Sequence, residues 1–349
     1  MKRNDEIYRA FVEILREELV PAMGCTEPIA IAYAAAAARE KLGCLPDEVE
    51  IAVSGNIIKN VKSVVVPHTG GMRGLEAAAA AGIAAGRAEQ RLEVLSSVTE
   101  EETELIAAFL KTAKFHVLHL DTPNIFDIRI TLRRGEAQAM ARIVGDHTNL
   151  VTLEVNGERF IDRPCEESRG GHKTDRSLLT AERIVEFADI LEPEDVQEIL
   201  DRQIACNWAI AEEGMRHDYG ANIGKILRDA YGESVHNRAR YMAAAGSDAR
   251  MNGCELPVII NSGSGNQGLT ASVPVIVYAQ ELGVDRAALY RALAVSNLCS
   301  IHLKTGIGTL SAYCGAVSAG CGAAAGIAYL HGGRLVDVAH TLVNAVAID

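Results

Sequence analysis

The chain has 349 residues, 48% of them hydrophobic and 23% charged, which is enough for two compact units that each bury a core. A net charge of −12 excludes a non-specific nucleic-acid surface, because neutralising phosphates takes clustered Lys and Arg, and the partners expected are small molecules. Eight cysteines without any C-x-x-C pair exclude a zinc ribbon or redox dithiol built from neighbouring residues, and argue for a reducing compartment over a disulfide scaffold.

Residues 3–20 carry Ile7, Phe11, Ile14 and Leu15 at helical spacing, with charges spread throughout and no uninterrupted apolar core of a secretory signal. The expectation is a mature amphipathic helix in a cytoplasmic protein. A second, alanine-rich helix is expected over 29–42, with a break over 21–28 where Pro21, Gly24 and Pro28 disfavour helix interior geometry. From residue 48 the period changes to that of strands, expected at 49–53, 61–66, 115–120, 128–132 and 150–155, with helices at about 74–87 and 100–112 between them. The polar stretch 163–176 reads as a linker, and helical patterns dominate from Thr180 onward.

The fold class expected is therefore α+β: a mostly helical catalytic domain (175–349) with an inserted α+β domain (48–165) of mixed sheet and helices. The helices of 1–47 are expected to pack on the helical domain. The long uncharged run 310–330 reaches membrane length, but it is mostly Ala, Gly, Ser and Cys, so it reads as a helix buried in protein and no membrane partner is expected. A homo-oligomer is compatible with this composition.

The most distinctive segment is Asn261-Ser-Gly-Ser-Gly-Asn-Gln-Gly268, which precedes a helical pattern. Its glycines and short polar side chains free backbone N–H groups for an anion such as a carboxylate or phosphate. On spacing alone a flexible loop with a helix cap accounts for it better, because Gly-Ser stretches are common. It lacks the ending of a Walker A loop, and its formal G-x-G-x-x-G match has no strand-turn-helix unit around it. Cys25 lies in the broken turn between the first two helices, and Cys314 follows a stretch with two glycines and Lys304 beside a small-residue helix. Thiolates in low-charge helical surroundings suit an iron-sulfur cluster. Cys44, Cys165, Cys206, Cys299 and Cys321 read instead as small buried apolar residues. Lys304, in an apolar region, is either paired, depressed in pKa by desolvation, or snorkelling from a helix end. Residues 54–60, 67–73 and 147–149 gather polar groups at strand ends, where His147 reads either as a site residue or as a satisfied structural histidine.

Five segments together, Met23-Gly-Cys-Thr-Glu-Pro28, Ser54-Gly-Asn-Ile-Ile-Lys-Asn60, Ser247-Asp-Ala-Arg-Met251, Asn261–Gly268 and Leu310-Ser-Ala-Tyr-Cys314, resemble the L-cysteine desulfidases of the serine dehydratase alpha-chain superfamily. The resemblance implies a [4Fe-4S] cluster held by three cysteines, two of them Cys25 and Cys314. The third lies in a Cys-Asp-Gly-Ala segment roughly forty residues beyond the second, and this sequence ends at Asp349, just short of it, so either the chain is a truncated or divergent member, whose cluster would be absent, or Cys299 or Cys321 substitutes. The implied reaction eliminates hydrogen sulfide from L-cysteine to give pyruvate and ammonia. Substrate binding then falls to Ser262, Gly263, Ser264, Gly265, Asn266, Gln267, Asn56 and His147, and catalysis to Lys304 as charge partner or base. Three alternatives stay open: a serine or threonine dehydratase using the same cluster, a pyridoxal-phosphate lyase, and an amino-acid-binding relative without catalysis.

Overall fold

The computed structural model describes residues 1–164, 174–307 and 314–348. Two compact units emerge, one formed by 1–21, 172–250 and 256–349 and the other by 22–171 and 251–255. The chain thus leaves the helical unit after its first helix, builds the sheet unit, and returns.

Helix α1 (Glu6–Glu18) belongs to the helical unit. The sheet unit follows, with β1 (Pro21–Met23) at its entry, α2 (Thr26–Leu42), β2 (Glu48–Val53), α3 (Gly55–Val61), α4 (Gly74–Ala85), α5 (Glu100–Thr112), β3 (Lys114–His119), β4 (Asp127–Arg134), β5 (Ala137–Val144), β6 (Leu150–Val155) and β7 (Glu158–Asp162). The strands form one sheet in the order β3-β2-β4-β5-β6-β7, in which only β2 and β3 are parallel.

Alternation along the strands explains the layering. Val49, Ile51 and Val53 of β2 stand opposite Leu132, Ile130 and Ile128 of β4, which in turn face Ala139, Ala141 and Ile143 of β5, and all nine are fully buried. The intervening positions Glu48, Glu50, Arg129 and Arg133 form a ladder of ion pairs on the other face. Helix α2 packs on β4, β5 and α4. Ala30 to Ala36 are almost all completely buried, which is what a helix apolar around its whole circumference requires. A Cβ on Gly82 of α4 would stand 2.1 Å from the Ala32 carbonyl oxygen, so α2 and α4 approach at backbone distance.

After 3-10 residues 176–178 come α6 (Ala181–Ile190), α7 (Pro193–Arg216), α8 (Ile223–Tyr231), α9 (Val235–Met251), β8 (Pro257–Ile259), α10 (Gly265–Leu282), α11 (Arg286–Ile307), α12 (Gly315–Leu330) and α13 (Leu335–Ile348). Their core joins α1 to α6, α7, α10, α11 and α12, with Tyr8 and Phe11 tilted against Phe187 at 5.0 and 5.4 Å. Burial beside Asp195, which accepts the Tyr8 hydroxyl at 2.5 Å, pushes the Tyr8 phenol up to about 12. Arg176 is buried and pairs with Glu17 and Glu18 at 2.7 and 3.0 Å, which ties the returning chain to α1.

The α+β class is as expected, but several elements fall differently. Residues 1–47 divide, since α1 lies in the helical unit and α2 in the sheet unit, where its alanines fit under the sheet. Helix α2 also starts at Thr26, because Pro28 sits in the first helical turn, where its missing N–H would have no intrahelical acceptor. Residues 61–66 form no strand: α3 ends at Val61, and Val65 makes only an isolated bridge to Arg73. The linker expected at 163–176 lies mostly outside the described residues. Residues 315–330 are helical, and among the described residues no helix is long and apolar enough to cross a membrane.

Candidate active site

In the helical unit the distinctive segment divides into a turn and a helix start. Asn261 and Ser264 exchange backbone hydrogen bonds of 3.1 Å, and between them Ser262 and Gly263 both take positive φ (50° and 77°), the geometry of a type I′ turn. Ser264 caps α10, so Gly265, Asn266, Gln267 and Gly268 are its first turn and not a loop. The amides of a helix's first turn have no intrahelical acceptor and point outward, the arrangement that holds an anion.

The glycines of this segment permit close approach. A Cβ on Gly265 would lie 2.2 Å from Arg250 Nε, so the guanidinium is laid over the start of α10, and Arg250 Nη1 donates to Asn266 Oδ1 at 3.0 Å. A Cβ on Gly268 would stand 2.0 Å from the Ile259 carbonyl oxygen, which lets α10 pack directly on β8.

Beneath the turn lies a buried amide network. Asn261 Nδ2 donates to Asn297 Oδ1 (2.9 Å), Gln203 Nε2 donates to the same oxygen (3.0 Å), and Asn297 Nδ2 donates to Gln203 Oε1 (2.9 Å) and the Leu293 carbonyl (2.9 Å). Asn207 Nδ2 donates to the Ile259 carbonyl and to Ser272 Oγ, while its Oδ1 accepts the Ile259 N–H. Gln203, Asn207, Asn261 and Asn297 are all fully buried, so the network fixes the turn from the protein interior.

Cys314 is the exposed N-cap of α12, and the next residue, Gly315, lies under the Gln267 amide, which a Cβ there would meet at 2.2 Å. The first turns of α10 and α12 therefore converge. Lys304, near the end of α11, is 6% exposed, and burial lowers its ammonium below the usual lysine range while the nearby Cys314 opposes that shift. It does not snorkel to the surface. The four residues before Cys314 that carry the resemblance, 310–313, lie outside the described residues.

In the sheet unit Cys25 is the buried N-cap of α2, with its Sγ donating to Glu27 Oε2 at 3.0 Å, and Asn60 Nδ2 donates to Glu27 Oε1 at 3.3 Å. Asn56, exposed at the start of α3, lines a shallow cleft with Ser54, His119, Asp121, Thr122 and Asn124. His147 is buried edge-on to Phe126 at 4.7 Å, and its Nε2 has no hydrogen-bond partner. Ser262 to Gln267, Lys304 and Cys314 are thus gathered within one unit, and Asn56, His147 and Cys25 belong to the other.

Thiols are the donor class an iron-sulfur cluster takes, and Cys25 and Cys314 both stand at helix N-caps, where neither side chain accepts a capping hydrogen bond. Among the described residues no three or more His, Cys, Asp or Glu gather into a group able to hold a metal ion. Cys299 and Cys321 sit in the helical core, and burial pushes the Cys299 thiol up to about 12, so both behave as small apolar residues. Cys206 is only half-buried and Cys44 is exposed just beyond the Gly43 cap of α2, while Cys165 lies outside the described residues.

Sequence reasoning did not single out Arg250, Gln203, Asn207 or Asn297 as site residues. Arg250 alone had a signal, its place in the 247–251 segment; the amides on α7 and α11 look like ordinary polar helix positions until the fold buries them.

The model of the serine dehydratase alpha chain matches residues 89–348. The chain is 56% identical over 348 residues to a UPF0597 protein of Desulfitobacterium hafniense, covering 100% of this chain and 81% of the relative. It is 49% identical to one of Treponema denticola (97% and 80% covered) and 48% identical to one of Lachnoclostridium phytofermentans (98% and 82%). These matches support a lyase-type function related to that of the serine dehydratases. The chain belongs to the serine dehydratase alpha-chain family.

Proposed function

We propose that this chain is an iron-sulfur lyase that eliminates hydrogen sulfide from L-cysteine, with Cys25 and Cys314 among the ligands of a [4Fe-4S] cluster. The observation that carries the reading is the convergence of the α10 and α12 first turns beside Lys304 and Cys314. The part of Cys25 rests on the sequence resemblance alone, as do those of Asn56 and His147 in binding substrate. When bound, the cluster supplies a Lewis-acidic iron to the β-substituent.

The chain's own residues do the rest. The outward amides of residues 265–267, with Ser262, Gly263 and Ser264 shaping the turn, hold the substrate carboxylate. Lys304, kept low in pKa by burial, accepts the Cα proton as the Cβ–S bond breaks. Aminoacrylate leaves, tautomerises to the imine and takes up water, yielding pyruvate and ammonia.

The test is anaerobic reconstitution with iron and sulfide, followed by sulfide and pyruvate assays. Cys314→Ser and Cys25→Ser should each lose both the brown absorption and product, whereas Lys304→Met should keep the absorption and lose product. Full activity in Cys314→Ser would overturn the reading. A second reading, elimination of water from L-serine at the same site, is favoured by the description of the matching family model. Parallel assays with L-serine and L-cysteine decide between the two leaving groups. Ligand-induced thermal stabilisation without product would instead indicate a binding protein.

A further inference from the structure

The proton of the Ser262 hydroxyl is committed to the protein, and the reason runs back to two backbone carbonyls in the helical core. Asn297 Nδ2 donates to the Leu293 carbonyl at 2.9 Å, and a carbonyl can only accept, so the Asn297 amide is oriented with its Oδ1 toward Asn261 and Gln203. Asn261 Nδ2 donates to that oxygen at 2.9 Å and to the Asn297 carbonyl at 3.3 Å, which orients the second amide in the same way. Asn261 Oδ1 is left facing Ser262, and it accepts the Ser262 Oγ proton at 2.8 Å. A hydroxyl carries one proton and two lone pairs, so Ser262 has only acceptor capacity left to offer. Asn261 is fully buried whereas Ser262 is half-buried, and the chain of bonds thus ends at a residue that solvent reaches.

The backbone of Ser262 is unusual as well. Its φ of 50° is one that glycine or asparagine adopts at less cost in the first central position of a type I′ turn. Strain of this kind persists where the side chain is needed, and here the side chain is an oxygen whose hydrogen is spent on the interior.

Resting on the lyase reading above, we propose that Ser262 Oγ accepts a hydrogen bond from the α-ammonium of the substrate. That reading gives the carboxylate to the α10 amides, the β-substituent to iron and the Cα proton to Lys304, and it leaves the ammonium without a recipient. Backbone N–H groups cannot take it, because they are donors too. A neutral oxygen accepts the ammonium without setting a negative charge beside the substrate carboxylate. Ser262 is then the residue that separates an α-amino acid from the corresponding acid without nitrogen.

The experiment is calorimetric titration of the cluster-free chain, in which nothing is turned over, with L-serine and with 3-hydroxypropionate, which lacks the ammonium. The wild type should bind L-serine at least about tenfold more tightly, the factor that a hydrogen bond to a charged group carries. Ser262→Gly relieves the backbone and Ser262→Ala keeps the β-carbon, while both delete the oxygen. Each should bring the two ligands to within about threefold of one another, with 3-hydroxypropionate bound about as the wild type binds it. Trp208, on α7 of the same unit, reports by its fluorescence that each variant is folded, and either folded variant suffices. A wild-type preference for L-serine retained in a folded variant overturns the assignment. So does an equal loss of affinity for both ligands, which would mark the hydroxyl as a support of the turn. A wild type that does not bind L-serine, or binds 3-hydroxypropionate as tightly, overturns it too. In all three cases the lyase reading is decided separately, by sulfide release from the reconstituted protein.

Discussion

Replacing Asn297 with leucine tests whether the buried amide network holds the turn at residues 261–264. The substitution keeps the side-chain volume but deletes the bonds to Gln203 Nε2, Gln203 Oε1 and Asn261 Nδ2. The Asn261 amide keeps a 3.3 Å bond to the Asn297 carbonyl, and Gln203 loses both of its bonds to Asn297. Two to three orphaned groups at about 1–3 kcal/mol each, less about 1–2 kcal/mol returned by burying the leucine, give at their central values a net loss of about 3.5 kcal/mol. The single tryptophan, Trp208, lies on α7 in the helical unit, so its fluorescence during urea titration reports this unit alone. The Asn297→Leu, Gln203→Leu double variant should recover part of the loss, because the partner with the larger deficit is then gone. A loss below about 1 kcal/mol in the single variant, or losses that simply add, would refute the claim that these amides act as one unit.

Three further outcomes follow from the packing. Lys304 has a folded-state pKa below its unfolded value, so the unfolded chain binds the proton more tightly and stability rises with pH between the two; Lys304→Met should therefore stabilise the helical unit at pH 7 and much less near pH 10.5, read as the shift in urea midpoint at each pH. Gly322→Ala would drive a Cβ to 2.1 Å from Ser300 Oγ and 2.4 Å from the Ser296 carbonyl oxygen on α11, and should cost about 1–3 kcal/mol in the same titration. Asp127 is fully buried and held by Arg142 at 2.9 and 2.7 Å, so Arg142→Met strands a charge and should destabilise the sheet unit by about 3–5 kcal/mol, seen as faster amide exchange in β4 and β5.

Periodicity made the sheet unit largely legible: β2, β3, β4, β6, α4 and α5 fall within a residue or two of where apolar alternation and helical spacing place them. Residues 61–66 misled because three consecutive valines satisfy a strand pattern, yet Val64 to Val66 are buried in a loop where Val65 makes an isolated bridge to Arg73. The allegiance of α2 was not readable, since a helix of alanines has no face to declare which neighbour it serves. The segment 261–268 announced itself by composition, but not its division into turn and helix, which depends on Ser262 accepting a positive φ that sequence would assign to glycine. Arg250 and the amides of α7 and α11 were hidden for a different reason. A polar residue in a helix is ordinarily solvated, and it is the packing of the fold, with α10 brought close to Arg250 at Gly265 and to Ile259 at Gly268, that makes these interior groups.

The departure of the chain from the helical unit after α1 also bears on its synthesis. Tyr8 meets Asp195 across 187 residues, and Glu18 meets Arg176 across 158. At translation rates of about 5–20 residues per second, α1 waits roughly 10–40 s on the ribosome for these partners, with Phe11, Ile14 and Leu15 still uncovered. Nascent chains stalled near residue 190 should accordingly engage hydrophobic-segment chaperones through their first twenty residues, and lose that engagement once α6 and α7 have emerged.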